Sequence, residues 1–295
     1  MPKVFIIILN WNGWPDTMEC LDSLNMLNYD NFEVILIDNA SKQKIRVVDA
    51  RFPKLKITQI FNDLNSGFAG GNNVGIKIAL EKGADYILLL NNDTIVEPDF
   101  LNNLVEAAVI DKKYGILGPV IYDYADHNKI QFAGGKINWS INKGTHLTVI
   151  PALTRNLIET DYITGCCLLI KKEVIEKIGL MDEDYFLYYE DTDWNMRVRN
   201  AGWFCGVVPE AKIYHKASQS SREFSYPYIY YHSRNGLIFA SRFGSKILTY
   251  LISFWIFLKQ LLKLIIGYRC EWARPVMKGV MDFWKGKRGK LEGYY

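Results

Sequence analysis

The N-terminal part of the chain alternates short apolar runs with stretches of helical spacing, and this alternation constrains the fold more than any other feature. The apolar runs are Val4–Leu9, Phe32–Ile37, Leu55–Phe61 and Tyr86–Leu90. Apolar or small residues at helical spacing separate or follow them, at Met18–Leu27, Gly70–Leu80 and Pro98–Ala108. Strands that alternate with helices form parallel sheets, and runs apolar on both faces need a covered sheet. We therefore predict an α/β fold with a mostly parallel sheet and helices on both faces.

Beyond Gly115 the pattern changes to shorter elements, which predict a mixed α+β region on the lid or acceptor side. The predicted strands are Gln131–Trp139, Tyr162–Ile170, Phe204–Val208 and Lys212–Tyr214, and Asp191–Asn200 is a predicted helix. From Tyr226 the spacing predicts helices almost to the end.

Composition and charge exclude several classes of protein. The chain has 295 residues, of which 49% are hydrophobic and 23% charged, which is typical of a globular protein. Residues 241–295 hold 11 Lys and Arg but only 3 Asp and Glu, so the net charge of +3 has its origin at this end. That distribution, without a recognised motif, predicts no nucleic-acid partner. Five cysteines without a C-x-x-C pair indicate reduced thiols in the cytoplasm, and Val4–Leu9 is predicted to be a strand, not a signal peptide.

Polar clusters follow the predicted strands, and parallel sheets bind ligands at that edge. Asn10, Asn12 and Asp38 have the chemistry to bind a base or ribose, although for each residue alone turn formation or helix capping is the simpler explanation. A further cluster combines glycines, which allow close backbone approach, with amides at a helix start, which favour phosphate. Its members are Asn65, Gly67, Asn72 and Asn73. The alternative is an ordinary strand-to-helix loop.

Two acidic positions are candidates for chemistry. Asp93, beside Asn92 at a strand end, suits Mg²⁺ or Mn²⁺ near a phosphate group, or else forms a turn. Glu190 and Asp191 follow an aromatic run, where a carboxylate can act as a general base or can stabilise a helix N-terminus. His215 ends a strand in the same half, where a ligand role competes with a structural one.

Taken together, the chain resembles family 2 glycosyltransferases of the Rossmann-like GT-A fold, and especially the rhamnosyltransferase-like members. The resemblance covers about Val4 to Phe243. The stretches that carry it, in order, are Ile-Leu-Asn-Trp-Asn, Asp-Asn-Ala-Ser, Asn-Ser-Gly-Phe-Ala-Gly-Gly-Asn-Asn, Leu-Leu-Asn-Asn-Asp and Phe-Leu-Tyr-Tyr-Glu-Asp-Thr-Asp.

The resemblance implies a role for each candidate residue. Asp38 would contact the base with Asn10 nearby, and Asn65, Gly67, Asn72 and Asn73 would line the donor pocket. Asp93 would be the last acid of the family's D-x-D metal motif, which here is Asn91-Asn92-Asp93 and keeps one carboxylate. Asn92 would orient the ribose or a metal-bound water. His215 would contact metal and diphosphate, and Asp191, beside Glu190, would be the catalytic base.

The implied reaction is an inverting transfer of one sugar from a nucleoside diphosphate sugar. Processive relatives carry Q-x-x-R-W, whereas this chain has Gln219-Ser220-Ser221-Arg222-Glu223, which predicts single transfers. The resemblance implies dTDP-rhamnose or a UDP-sugar as donor, and a lipid-linked or cell-surface glycan as acceptor. A nucleotidyltransferase acting on sugar phosphates and a non-catalytic sugar-nucleotide-binding or membrane-binding partner remain alternatives.

The C-terminal region predicts amphipathic helices. Ile247–Ile266 is long enough to span a bilayer, but Lys259 and Lys263 interrupt it on one face. We expect a catalytic domain at 1–240, divided into a nucleotide-sugar half (1–115) and an acceptor half (116–240). Residues 241–295 would be a basic extension that binds the inner face of the cell membrane or forms a homodimer.

Overall fold

The computed structural model describes residues 1–47, 49–139, 143–150, 157–216 and 225–294. The strands in these ranges are β1 (Val4–Asn10), β2 (Phe32–Asp38), β3 (Ile57–Phe61), β4 (Tyr86–Asn91), β5 (Thr94–Val96), β6 (Tyr114–Asp123), β7 (Ile130–Phe132), β8 (Gly135–Asn138), β9 (Lys143–His146), β10 (Ile158–Thr160), β11 (Cys167–Lys171) and β12 (Phe204–His215). The α-helices there are α1 (Trp14–Leu24), α2 (Gly67–Glu81), α3 (Phe100–Ile110), α4 (Lys172–Ile178), α5 (Glu190–Asn200), α6 (Tyr226–Phe243), α7 (Lys246–Ile265) and α8 (Cys270–Trp284).

One mixed sheet organises the described parts of the chain, with the strand order β10-β12-β6-β11-β4-β1-β2-β3. The strands β4, β1, β2 and β3 are parallel, whereas β11 runs antiparallel between β4 and β6. Consecutive residues Phe5 to Ile8 are fully buried. Since successive side chains of a strand point to opposite faces, both faces of the sheet are covered. The predicted α/β architecture and its first four strands are confirmed.

The parallel register brings the polar strand ends to one edge of the sheet. Asn10 of β1 pairs with Asp38 of β2, and Leu9 pairs with Asn91 of β4. Short β5 pairs with the end of β12, so that Thr94 lies opposite His215. Residues far apart in the sequence therefore meet at the carboxyl edge.

The second half differs from the predicted strands for local reasons. The predicted strand at 131–139 divides into β7 and β8 around Gly134, whose φ of 119° breaks an extended run. Residues 162–165 are not a strand, because the Asn195 side chain binds both the N–H and the carbonyl of Ile163. In contrast, the two predicted strands after residue 204 form one strand, β12, with an irregularity between Val208 and Lys212.

Strand β6 is central in the sheet but carries residues that usually mark turns. A side chain at Gly118 would place its Cβ 2.4 Å from Ile163, and one at Gly115 would lie 2.8 Å from Val198. These glycines therefore serve close packing inside a strand and not a turn.

The helices after residue 225 pack together and against the segment around Tyr185. A hydrophobic cluster joins Leu237 and Phe239 of α6 to Val280 and Phe283 of α8 and to Tyr185. The boundary expected at residue 240 falls inside α6. Within the described ranges, α7 alone is long and apolar enough to cross a membrane by length and composition, with a mean hydropathy of 1.5.

Candidate active site

A cavity of about 300 Å³ opens at the carboxyl edge of the sheet. It brings together seven of the residues that the sequence singles out, which are Asn65, Gly67, Asn92, Asp93, Glu190, Asp191 and His215. Five others do not line it, and these are Asn10, Asn12, Asp38, Asn72 and Asn73. The first group surrounds the space for a ligand, whereas the second supports its walls.

Asn10 and Asp38 form a fully buried pair behind the cavity wall. Asn10 Nδ2 donates to Asp38 Oδ2 over 2.9 Å, and Asp38 Oδ1 accepts from the backbone N–H of Ser41. Asn10 Oδ1 accepts from the N–H of Gly13. The pair therefore links the carboxyl ends of β1 and β2. Asn12 is exposed at φ 59°, and its Oδ1 accepts from the N–H of Lys42.

Asn72 and Asn73 lie within α2, one turn or more from its start. Asn72 Nδ2 donates to the Phe68 carbonyl inside the helix. Asn73 is bonded from both ends: its Nδ2 donates to the Met181 carbonyl and to Glu183 Oε1, and its Oδ1 accepts from the N–H of Met181. Asn73 thus joins α2 to the segment that leads to the acidic motif.

Asn39 lines the cavity, although the sequence analysis selected its neighbour Asp38 instead. Its Nδ2 donates to Asn65 Oδ1 and to the Gly67 carbonyl, each over 3.0 Å. Side chains alternate at a strand end, so a buried Asp38 implies that Asn39 points the other way. That alternation is the signal that would have identified it. Trp11, between Asn10 and Asn12, also lines the cavity.

Asp93 and His215 meet on one wall of the cavity. His215 Nε2 lies 3.3 Å from Asp93 Oδ1, while its Nδ1 contacts Gln131 Oε1 at 3.0 Å. Burial disfavours the charged ring, but the neighbouring Cys166 and Asp93 outweigh it and raise the pKa of His215 above its ordinary value. Asn92 donates to Thr17 Oγ1 and to the Gly13 carbonyl, which anchors the turn before Asp93.

Asp191 lies in the first turn of α5, half-buried at the cavity, with both oxygens oriented by donors. Oδ2 accepts from the Gly165 N–H over 2.7 Å, and Oδ1 accepts from the N–H of Thr192 over 2.6 Å. A side chain at Gly165 would place its Cβ 3.4 Å from Asp191 Cβ and 3.0 Å from the Phe68 ring. Glycine there permits the close approach that holds the carboxylate.

Glu190 is in a different environment from its neighbour. It is only 4% exposed, and Oε2 has no hydrogen-bond partner among the described residues. Burial, reinforced by the charge of Asp191, raises the pKa of Glu190 well above its ordinary value. The environment of Glu190 therefore disfavours the charged form of this carboxyl group.

We expect Glu190→Gln to increase the free energy of unfolding at neutral pH, because Gln resembles the neutral acid. The folded-state pKa is raised, so the stability that Glu190 contributes is fully present below the unfolded value of 4.5 and is lost as pH rises through the folded value. The free energy of unfolding of the variant should thus exceed that of the wild type by a margin that grows with pH above 4.5. Chemical denaturation across pH measures it, with exposed Glu210→Gln as the control. An advantage that does not change with pH would contradict the assignment.

The loop before α5 is strained and is held by buried side chains of α6. Phe186, Tyr188 and Tyr189 have φ values of 64°, 67° and 75°, which cost L-residues about 1–2 kcal/mol each. Fully buried Asn235 donates through Nδ2 to the carbonyls of Tyr185, Leu187 and Tyr188, over 2.8–2.9 Å. These hydrogen bonds offset the strain and fix the approach to Asp191.

The strained loop also contacts the start of α2, which lines the cavity. The Phe68 N–H donates to the Phe186 carbonyl over 2.7 Å. A Cβ at Gly67, whose φ is 76°, would lie 2.2 Å from that carbonyl oxygen. Gly67 therefore allows the start of α2 to touch the loop that carries the acidic motif.

A mostly parallel sheet with a cavity at its carboxyl edge, walled by Asp93, His215 and Asp191, is the arrangement of the GT-A fold. The chain belongs to glycosyl transferase family 2, whose model matches residues 5–179. It is therefore a glycosyltransferase.

Similar proteins agree with this assignment. The chain is 26% identical over 219 residues to the dTDP-rhamnosyl transferase RfbF of Shigella flexneri, covering 74% of this chain and 71% of that one. It is 25% identical over 240 residues to N-acetylglucosaminyl-diphospho-decaprenol L-rhamnosyltransferase of Mycobacterium tuberculosis, covering 74% and 78%. Its fold matches the Pyrobaculum calidifontis mannosyltransferase PcManGT, solved with GDP-Man and Mn²⁺, at a TM-score of 0.63 and 14% identity, covering 97% and 88%.

Proposed function

We propose that this glycosyltransferase moves one sugar from a nucleoside diphosphate sugar to a saccharide hydroxyl, with inversion at the anomeric carbon. The observation that carries the proposal is the oriented carboxylate of Asp191, which opens onto the same cavity as Asp93 and His215. A base and a diphosphate site on one cavity suit a single displacement.

In this reaction Asp191 accepts the proton of the acceptor hydroxyl, and the oxygen attacks the anomeric carbon. The bond from that carbon to the diphosphate breaks, and its electron pair leaves with the nucleoside diphosphate. The N–H groups of Gly165 and Thr192 keep the carboxylate in one orientation throughout. Asn39, Asn65 and Gly67 line the donor side.

Asp93 and His215 have the donor atoms for Mg²⁺ or Mn²⁺. The carboxylate oxygen Asp93 Oδ1 is enclosed and lies 3.3 Å from His215 Nε2. This nitrogen would ligate a cation only after it loses the proton that the raised pKa of His215 favours. No cluster of three His, Cys, Asp or Glu side chains occurs in the described ranges, which fits a cation held partly by substrate phosphates. When bound, the cation would neutralise charge on the leaving diphosphate.

The donor and acceptor classes follow from the relatives. Two of them are named as rhamnosyltransferases, one of them acting on a diphospho-decaprenol-linked sugar. We infer dTDP-rhamnose as donor, with a UDP-sugar as the second candidate, and a lipid-linked or cell-surface glycan as acceptor, in the cytoplasm. Gln219–Glu223, on which the single-transfer prediction rests, lies outside the described residues.

We further propose a catalytic domain that extends through α6, since Asn235 of that helix binds the loop before Asp191. Its nucleotide-sugar half is 1–115 and its acceptor half begins at 116. The chain after Phe243 is the proposed extension, which packs against α6 through α8.

Donor binding is expected to be selective and to depend on Asp93. In calorimetric titrations of a nucleotide-sugar panel, Asp93→Ala should weaken binding of the one preferred donor by about 10- to 100-fold, because a charge-assisted contact is lost. Chelation of divalent cations should weaken the wild type similarly.

Asp63→Ala is the matched control. The Asp63 carboxylate is exposed and close in sequence to Asn65, but it does not line the cavity. Selective binding that is insensitive to chelation and to Asp93→Ala would reject the cation site and retain the transferase. If the folded protein binds none of the donors, the proposed function is wrong.

A further inference from the structure

Helix α7 exposes its apolar face to solvent, whereas an amphipathic helix of a soluble protein buries that face. Six side chains along that face are 56–77% exposed, and they are Ile247, Leu251, Phe254, Trp255, Leu262 and Ile265. We call these six residues the apolar stripe. Helices of soluble proteins bury such a stripe. A continuous apolar surface of this kind marks an interaction site.

The opposite face of α7 is polar and is fixed to the protein. Thr249 and Ser253 are fully buried, and Gln260 is 8% exposed. The Trp284 indole N–H of α8 donates to Ser253 Oγ over 2.8 Å. Crossing a bilayer alone would separate this face from α8 and place its polar groups in hydrocarbon, which is costly. The packing therefore favours a helix that lies along a surface.

The positive charges beside the apolar stripe favour a partner with an anionic surface. Lys259 is exposed, and Lys259 and Lys263 lie on the flank of the stripe, between the apolar and the buried faces. A second copy docked through the same stripe would bring like charges together, whereas anionic lipid headgroups would complement them. Trp255 has the amphipathic ring that prefers the membrane interface.

We propose that α7 is an interfacial anchor that lies flat on an anionic membrane surface, with the apolar stripe in the acyl boundary and the lysines at the headgroups. This binding is separate from sugar transfer. Its failure can therefore be distinguished from failure of the proposed function.

The test is flotation of the full chain with vesicles made of equal parts phosphatidylcholine and phosphatidylglycerol. The triple variant Leu251→Gln, Trp255→Gln, Leu262→Gln should bind these vesicles about tenfold more weakly or worse, since three inserted side chains are lost. Its thermal unfolding and its donor binding should match the wild type. Leu64→Gln with Ile110→Gln, which alters exposed apolar residues elsewhere, is the matched control and should bind normally.

A second arm tests charge and orientation. Lys259→Gln with Lys263→Gln should weaken binding to the anionic vesicles by about fivefold for each lysine and leave the weak binding to pure phosphatidylcholine unchanged. An alkaline carbonate wash should release the wild type, and retention would overturn the flat orientation. Vesicle binding that survives the triple variant would overturn the anchor. If sedimentation velocity then shows that the variant dissociates a dimer, the stripe is a contact between copies.

Discussion

Asp191→Asn is expected to reduce the rate of sugar transfer by about 10²- to 10⁴-fold, because the amide cannot accept the proton of the acceptor hydroxyl. The substitution keeps the size of the side chain and an oxygen that can accept from the Gly165 N–H. Donor affinity should therefore stay close to that of the wild type. Single-turnover transfer assays and calorimetric donor titrations measure the two effects separately.

Glu190→Gln is the control for this prediction, because it alters the adjacent acid while preserving the hydrogen-bonding character of the protonated form. It should retain transfer activity within about tenfold, since no proton needs to move at Glu190. The assignment of the base to Asp191 would be wrong if Glu190→Gln lost activity as severely as Asp191→Asn. Equal activity of Asp191→Asn and the wild type would have the same consequence.

Asn235→Ala is expected to have the second large effect, on both stability and turnover. The carbonyls of Leu187 and Tyr188 lose this donor, whereas that of Tyr185 keeps the Leu187 N–H as a donor. Each acceptor left unpaired costs about 1–3 kcal/mol. The strained loop before Asp191 should then relax, and kcat should fall by roughly 10- to 100-fold because the base is misplaced. Donor affinity should change little, since Asn235 does not line the cavity.

A variant matched in stability separates positioning from a general loss of structure. Leu24→Ala removes a fully buried side chain of α1 and should cost about 2–5 kcal/mol of unfolding free energy. Measured well below both unfolding midpoints, Leu24→Ala should keep the wild-type kcat while Asn235→Ala does not. If both variants lose kcat in proportion to their lost stability, Asn235 has only a structural role.

The sequence predicts the first half of the fold well because its signals are local. Val4–Leu9 and Tyr86–Leu90 are apolar at every position, and each ends in polar residues, so the strand and its carboxyl end are both visible. Strand β6, in contrast, has no local signal that predicts a strand at its start. Gly115 and Gly118 suggest turns, and only contact with α5 and with the Ile163 loop explains them.

The candidate site divides in the same way. The acidic motif and Asp93 are conspicuous in the sequence, and the structure places both on one cavity. Asn235 has no local signal, because its partners are carbonyls about 50 residues earlier in the chain. Likewise, His215 lies beside Asp93 because β5 pairs with β12, and no local sequence pattern predicts that pairing.

The segment after α8 returns to the loop that precedes Asp191. The Gly289 N–H donates to the Asp184 carbonyl over 2.7 Å, and Arg234 bonds the Gly289 carbonyl over 2.8 Å. During synthesis the cavity-lining residues of β4 and of the start of α2 therefore leave the ribosome long before the residues that brace the loop preceding Asp191. A nascent chain should therefore hold this loop in place only after the segment that follows α8 has been synthesised.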